Sequence, residues 1–322
     1  MKKFISILLA LMLVMSLGTA AFADGTATTP TDATSATINK TYKLIGAGSS
    51  PAETFTLVQV GDGVVSESDA TVAPALGEIV GAAFAAGEAT TAGVTHQITV
   101  NLPSYEKVGV YTYTLKEVDN GTAGVQYFDG NITLVVTVVN GNDGTLRIAG
   151  VHTESPVDSN NQKGQKSNTF ENTYSAGSLS VSKTVSGNLG DKTKLFKFTV
   201  TLTGEEGKTY ADSFAVTGAV NATASFGENT FYLKDGDTIT IENLPYGVTY
   251  TVAEDAEDYT SSNPNGISGE IAADTQTAAF TNTKEGTVDT GISLDSLPYI
   301  LMLVVVGAAI VVVSTRKKGE QF

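Results

Sequence analysis

Hydrophobic and polar residues alternate along most of the chain, and the segment 177–187 shows this pattern clearly. It reads GSLSVSKTVSG, in which Leu179, Val181 and Val185 fall on one face and serines fall on the other. A period of two is typical of a half-buried β-strand, so the apolar face is expected to point into a core. Lys183 lies on that same face. The pattern therefore directs a lysine toward the core.

Between the two ends of the chain, the sequence lacks a clear amphipathic helix. Short alternating segments are separated by turn sequences such as VGDG, DNGTAG, VNGNDG and LKDGD. This organisation predicts an all-β fold of two tandem β-sandwich domains, 36–175 and 178–284, after a linker at 24–35. The boundary between them is predicted at YSAGS, 174–178. The Ala- and Gly-rich segment 73–93 has no pattern that determines its conformation.

The two halves repeat one order of polar residues on apolar faces. Each half opens with such a lysine and continues with a glutamate at the end of a strand, in GVYTYTLKEV and GVTYTVAED. Each half closes with an asparagine two residues after a phenylalanine, in TFENTY and AAFTNTK. The residues are Lys40, Glu117 and Asn172 in the first half, and Lys183, Glu254 and Asn282 in the second.

Each of these residues alone has an ordinary interpretation. A strand lysine usually extends to the sheet edge, a glutamate often ends a strand in solvent, and an asparagine is common in turns. The repeated triple favours a different interpretation, because burying an unpaired charge costs several kcal/mol and needs a compensating use.

Amide formation between lysine and asparagine, with release of ammonia, is a reaction that uses all three residue types. Burial favours the neutral lysine that can act as a nucleophile and a protonated carboxyl that can polarise the amide. A folded core holds the groups in fixed proximity. We therefore predict intramolecular Lys40–Asn172 and Lys183–Asn282 bonds, each promoted by its glutamate.

The two ends of the chain are organised like targeting segments. Lys2 and Lys3 precede the apolar run FISILLALMLVMSLG and the small-residue sequence AFA, which predicts a signal peptide at 1–23. At the other end, the uncharged apolar run 297–314 precedes TRKK. This predicts a transmembrane helix with a cytoplasmic basic tail at 315–322. The region between these segments would then lie outside the membrane.

Charge and composition narrow the classes of function. The formal net charge of −15 makes nucleic acid and anionic lipid poor partners. The chain contains no cysteine, so an exported domain would rely on its core or on a covalent link other than a disulfide. His96 and His152 are the only histidines and lie far apart in the sequence, so neither a metal nor a cofactor is predicted.

These sequences together resemble the streptococcal pilin isopeptide-linkage (FctA-type) family of Gram-positive major pilins. The resemblance lies in TINK, GVYTYTLKE, TFENTYSAGSLSVSKTVSGNLGD, YTVAED and FTNTK, and it covers nearly all of 36–291. It implies two immunoglobulin-like (CnaB-type) domains, each closed by a self-formed Lys–Asn bond that a glutamate assists. By motif, the family roles fall on the same six residues.

The resemblance also implies a sortase sorting signal at 287–322. Its motif is TVDTGI, with Asp289 where the family has proline, and cleavage is expected between Thr290 and Gly291. The missing proline leaves open which sortase accepts it. The sequence LPYIL at 297–301 resembles another sortase motif but lacks Thr-Gly and belongs to the apolar run.

Polymerisation would also require an exposed acceptor lysine. In the family it precedes the Phe-x-Asn of the first domain, and the matching segment here is NNQKGQKSNTF. Lys166 is closest to the family position and Lys163 is next. Either could equally be an ordinary solvated loop lysine.

The sequence thus predicts a structural subunit of a pilus shaft, secreted and anchored to the cell wall, and not a multiple-turnover enzyme. Expected partners are a sortase, identical subunits, peptidoglycan, and accessory pilins or a host surface ligand. The alternative is a monomeric wall-anchored adhesin, which would need no subunit-joining lysine. A surface enzyme has little support, because no set of nucleophile and base is visible.

Overall fold

The computed structural model describes residues 32–155, 166–219, 222–287 and 299–306. The described chain consists mainly of β-strands, so the prediction of an all-β fold is confirmed. The strands are β1 (Ser35–Gly46), β2 (Glu53–Phe55), β3 (Leu57–Gln59), β4 (Val64–Ser66), β5 (Ile79–Val80), β6 (Ala82–Phe84), β7 (Val94–Asn101), β8 (Gly109–Glu117), β9 (Val125–Gln126), β10 (Asn131–Asn140), β11 (Leu146–Glu154), β12 (Thr169–Ser186), β13 (Phe196–Thr203), β14 (Phe214–Thr217), β15 (Ala222–Ala224), β16 (Gly227–Leu233), β17 (Thr238–Pro245), β18 (Thr249–Asp255), β19 (Thr260–Ser261), β20 (Ile267–Glu270) and β21 (Thr275–Thr283).

The first half of the chain packs two main sheets around one core. In one sheet, β12 pairs with β1 in parallel, β1 pairs with β7 in antiparallel fashion, and β9 and β5 flank them. The other sheet has the order β11-β10-β8, and both β3 and β4 pair with β8. Strand β8 shows why this chain forms strands, because Tyr111, Tyr113, Leu115 and Glu117 are buried in strict alternation.

The second half repeats the arrangement around the other end of β12. There β12 lies between β17, to which it is antiparallel, and β21, to which it is parallel. Strands β14 and β15 extend the sheet beyond β17, and β19 pairs with β21. The second sheet has the order β16-β13-β18-β20. In both halves, the strand that carries the lysine is thus paired in parallel with the strand that carries the asparagine.

The predicted boundary at 174–178 lies inside the continuous strand β12 and not in a loop. Ala176 belongs to the first apolar core and Leu179 to the second, so the change of core occurs within a few residues. Pairing of β12 with β17 shifts register between Gly177 and Leu179. Gly177 is needed there, because a Cβ at this position would overlap the Ala273 carbonyl oxygen.

The segment 73–93, whose conformation the sequence did not determine, contains the short strands β5 and β6. Strand β6 pairs with β2 at one end of the first core. The rings of Phe84 and Phe55 lie 5.6 Å apart, and both pack edge-on against Tyr42. Strands of two or three residues are too short to show a period, which explains the missing sequence signal.

Residues 299–306 form a short helix with exposed side chains. Within the part of the chain that the structure describes, no helix has the length and apolar character needed to span a bilayer. The predicted signal peptide and most of the predicted apolar run lie outside the described residues, so both stay predictions.

Candidate functional site: two buried Lys-Glu-Asn clusters

Strands β1, β8 and β12 bring the first predicted triple together. In the parallel pair of β1 and β12, Lys40 is the register partner of Phe170, and Tyr42 is the partner of Asn172. Because every second residue faces inward, Lys40 and Asn172 lie on the same face, one diagonal step apart. Glu117 is the last residue of β8, in the facing sheet.

The three side chains form a closed set of short contacts. Lys40 Nζ donates to Asn172 Oδ1 over 2.6 Å and lies 2.8 Å from Glu117 Oε1. Asn172 Nδ2 donates to the same Oε1 over 3.0 Å. The backbone N–H of Phe128 donates to Glu117 Oε2 over 2.7 Å and holds the other side of the carboxylate. One carboxylate oxygen therefore contacts both the nitrogen that would attack and the nitrogen that would leave.

Burial governs the electrostatics of this cluster. Lys40, Glu117 and Asn172 are 2%, 5% and 1% exposed. Loss of hydration lowers the pKa of the Lys40 ammonium below its ordinary value, and the negative charge of Glu117 opposes this shift. The rings of Phe55 and Phe128 lie within 6 Å of Nζ and complete an apolar surround. Such an apolar environment favours the neutral form of the lysine, which is the form that can act as a nucleophile.

The second triple has the same strand register as the first. In the parallel pair of β12 and β21, Lys183 is the partner of Phe280, and Asn282 follows two residues later, opposite Val185. Glu254 lies in β18 and faces the cluster from the other sheet. The lysine, glutamate and asparagine that repeat in the sequence therefore occupy equivalent positions in the sheets of the two halves.

The contacts in the second cluster also converge on one carboxylate oxygen. Lys183 Nζ lies 2.5 Å from Glu254 Oε1, and Asn282 Nδ2 donates to the same oxygen over 2.9 Å. Lys183 and Glu254 therefore form a buried ion pair, whereas Asn282 Oδ1 has no hydrogen-bond donor among the described residues. Lys183 and Asn282 are 1% and 0% exposed. Unlike in the first cluster, the amide oxygen is left without a donor.

Burial also governs the pKa of Lys183. Loss of hydration lowers the pKa of its ammonium, while the carboxylates of Glu254 and Asp235 oppose the shift. The Phe196 ring centroid lies only 4.4 Å from Nζ. Asp235 is held elsewhere, because its Oδ1 accepts the Val185 N–H over 2.7 Å and its Oδ2 lies 3.2 Å from Lys192. Glu254 is therefore the carboxylate that contacts both reacting side chains.

The contacts of both clusters are compatible with amide formation: Lys40 and Asn172 touch directly, and Lys183 and Asn282 contact the same oxygen of Glu254. The neutral lysine nitrogen would attack Cγ of the asparagine, so that an Nζ–Cγ bond forms and the Cγ–Nδ2 bond breaks. The shared oxygen Oε1 can take the proton from Nζ and pass it to Nδ2, which leaves as ammonia. The atoms and electrons of this reaction balance without an oxidant, a metal or a cofactor. Contacts of 3.0 Å or less hold these groups close together, and such fixed proximity raises the effective concentration of reacting groups.

Several parts of the clusters were missed by sequence reasoning. The Phe128 amide lies in the loop after β9, and Ser261, which donates to Glu254 Oε2, lies in the two-residue strand β19. The rings around the lysines come from Phe55, Phe128 and Phe196. Aromatic residues on core faces are common, so no local signal sets these three apart.

The residues predicted for polymerisation lie apart from the clusters. Lys166 is exposed, and its backbone forms an isolated bridge with Glu154 just before β12. Lys163, Thr290 and Gly291 lie outside the described residues.

Comparison with known proteins adds independent findings. Residues 37–175 match a family described as "Spy0128-like isopeptide containing domain", and residues 177–284 match one described only as a domain of unknown function. A curated "Pilin" of Streptococcus pyogenes serotype M1 is 30% identical over 241 residues, which cover 66% of this chain and 69% of that protein. The "Pilus tip adhesin Cpa" of Streptococcus pyogenes is 34% identical over 128 residues, or 36% of this chain and 18% of the adhesin.

A solved structure supports the likeness at the level of the fold. The crystal structure of the major pilin from Streptococcus pyogenes superposes with a TM-score of 0.51 at 23% identity. The match covers 80% of this chain and 100% of the pilin.

Proposed function

Because the chain belongs to the FctA-type family of streptococcal pilins, we propose that it is the repeating shaft subunit of a surface pilus on a Gram-positive bacterium. Two tandem immunoglobulin-like domains of the CnaB type, 36–175 and 178–284, would each be closed by a Lys–Asn bond. A sortase would cleave after Thr290, join this residue to a lysine of the next subunit, and finally attach the polymer to peptidoglycan.

One observation carries the cross-link part of this proposal. In each half, a buried lysine and a buried asparagine contact the same glutamate oxygen. Neither half would gain stability from this arrangement if it remained an unreacted charged cluster, because desolvation of a buried ion pair offsets much of its attraction. A covalent bond between lysine and asparagine would stabilise the fold and so compensate for the desolvation of these residues.

The mass of the mature chain tests both bonds at once. We expect residues 24–290 to be lighter than the sequence predicts by two molecules of ammonia. Digestion followed by tandem mass spectrometry should yield linked peptides that contain Lys40 with Asn172 and Lys183 with Asn282. An intact mass equal to that of the unmodified sequence would remove the cross-link proposal.

Replacing either glutamate should block one bond only. Glu117→Gln and Glu254→Gln keep the size of the side chain but cannot carry a proton between Nζ and Nδ2. Compared with the mass of its own sequence, each variant should lack one ammonia where the parent lacks two, and the double variant should lack none. The exposed residue Glu228 provides the control, because Glu228→Gln should leave both losses of ammonia intact.

A monomeric wall-anchored adhesin is the second candidate function. The local similarity to the pilus tip adhesin Cpa supports it, although the matched region is only 18% of that protein. A pilus shaft subunit forms a ladder of covalent multimers in cell-wall extracts, whereas a monomeric adhesin gives a single wall-linked species. Immunoblotting of such extracts from cells with an active sortase therefore separates the two.

A further inference from the structure

The two clusters differ in how the far oxygen of the glutamate is held. In the first cluster, Glu117 Oε2 accepts the backbone N–H of Phe128 over 2.7 Å and a longer hydrogen bond from Lys40 Nζ over 3.0 Å. In the second cluster, the corresponding oxygen, Glu254 Oε2, accepts the side-chain hydroxyl of Ser261 over 3.3 Å. The Phe128 contact is made by the main chain, so a side-chain substitution does not remove it. The Ser261 contact depends on the identity of one residue.

The position of Ser261 is fixed by its strand. Strand β19 pairs with β21, and Ser261 is the register partner of Asn282 itself. Partners in an antiparallel pair project to the same face, so the hydroxyl lies beside the asparagine that would react. The contact between Ser261 and Glu254 is therefore built into the same sheet that positions Asn282.

The hydrogen bonds around Ser261 leave its hydroxyl able to donate to Glu254. The backbone N–H of Asn263 donates to Ser261 Oγ over 3.2 Å, so this oxygen acts as an acceptor on one side. Its own proton is then free to point at Glu254 Oε2. With Oε2 engaged, the carboxylate presents Oε1 to Lys183 and Asn282 at 2.5 Å and 2.9 Å. Rotation of the carboxylate away from the two nitrogens would break the serine contact.

We infer that Ser261 is a positioning residue for formation of the Lys183–Asn282 bond, in the role that the Phe128 amide has in the first half. This inference rests on the proposed cross-links and adds the residue that orients the glutamate of the second one. Ser261 contacts neither reacting nitrogen in the described contacts, and it exchanges no atom in the reaction. Its hydroxyl keeps Oε1 in place while the proton passes from Nζ to Nδ2.

Three substitutions at Ser261 distinguish the effect of its hydroxyl from the effect of side-chain shape. Ser261→Thr keeps the hydroxyl and adds a methyl group, Ser261→Val has the shape of threonine without the hydroxyl, and Ser261→Ala removes the hydroxyl alone. All three tolerate a strand conformation, and β-branched residues favour it. The full chain would be made by cell-free synthesis and sampled over time for both linked peptides by mass spectrometry.

We expect Ser261→Ala and Ser261→Val to slow the Lys183–Asn282 bond about tenfold, as loss of a hydrogen bond to a charged group implies. Ser261→Thr should restore the parental rate. The Lys40–Asn172 bond provides an internal control in every sample, because its rate should not change in any variant.

Other results would overturn the inference. Parental rates in Ser261→Ala and Ser261→Val would mean that the hydroxyl has no role in positioning. A slow Ser261→Thr would mean that side-chain shape is responsible. A purely structural role is tested by melting temperature in chains that also carry Asn282→Ala and so cannot form the second bond. There the second half of the Val variant should remain folded at the temperature of the rate assay, so that its slow rate does not come from unfolding. Unfolding of this variant at that temperature would contradict positioning. If the parent forms no second bond, both this inference and the proposed cross-link fail, whereas unchanged rates with intact bonds overturn this inference alone.

Discussion

The Lys183→Met variant is expected to lose much of the thermal stability of the second half of the molecule. Methionine fills nearly the same volume as lysine but cannot form the bond to Asn282. It also leaves the buried Glu254 without its cation, which adds to the loss. A cross-link that closes a loop of about 100 residues stabilises by about 4–5 kcal/mol through the unfolded chain. For a domain of this size, the melting temperature should fall by at least about 15 °C.

The loss should be confined to the half that lacks its bond. Hydrogen exchange should become faster in β13 and β18 of Lys183→Met, while β8 and β10 keep the protection of the parent. Lys40→Met should give the reciprocal result. Lys197→Met is the matched control in β13, since this lysine is exposed and its replacement should change stability little. Identical melting of Lys183→Met and the parent would show that no stabilising bond forms at Lys183.

The inward position of the six cluster residues could be predicted from the sequence because it depends only on a period of two. Lys183 is in phase with Val181, and Asn282 is in phase with Phe280, whichever strands pair with them. Because the order lysine, glutamate, asparagine occurs in both halves, the two triples could be matched to each other without knowledge of how the strands pair. In the structure, both asparagines lie one diagonal step from their lysines across a parallel pair of strands. The sequence contained no direct signal for that parallel pairing.

A buried glutamate that does not belong to the repeated triple could not be predicted from the sequence. Glu53 is 7% exposed in the three-residue strand β2, where no period can be recognised. It accepts hydrogen bonds from Asn120, Thr122 and Tyr127, so its charge is compensated without a lysine. A buried glutamate alone therefore does not identify a cross-link. A cross-link site differs from Glu53 in having a lysine and an asparagine beside the glutamate, and only the fold brings these three residues together.

The continuity of β12 was also missed, for a physical reason. The sequence YSAGS contains small residues and a glycine, which usually mark a turn. In the structure the small residues serve close packing, because the Gly177 backbone passes against Ala273 where the strand changes partners. Local composition cannot distinguish a glycine needed for a turn from one needed for close contact.

The Lys166→Arg variant is expected to abolish the ladder of covalent multimers. Arginine keeps the positive charge at this exposed site, but it does not lose its proton and so could not attack the thioester that would link Thr290 to the sortase in the proposed reaction. Lys40 and Lys183 cannot replace it, because they are buried. Lys166 lies at the surface immediately before β12, where a sortase can approach it from solvent.

The result should appear as a shift from multimers to monomer on immunoblots of cell-wall extracts. The monomer should still be attached to the wall and should still lack two molecules of ammonia, since neither process uses Lys166. Lys116→Arg is the matched control, because Lys116 is also exposed and its replacement should leave the ladder unchanged. Survival of the ladder in Lys166→Arg but not in Lys163→Arg would transfer the acceptor role to Lys163. Survival in the double variant would exclude both lysines, and a parent that forms no ladder beside an active sortase would favour the monomeric adhesin.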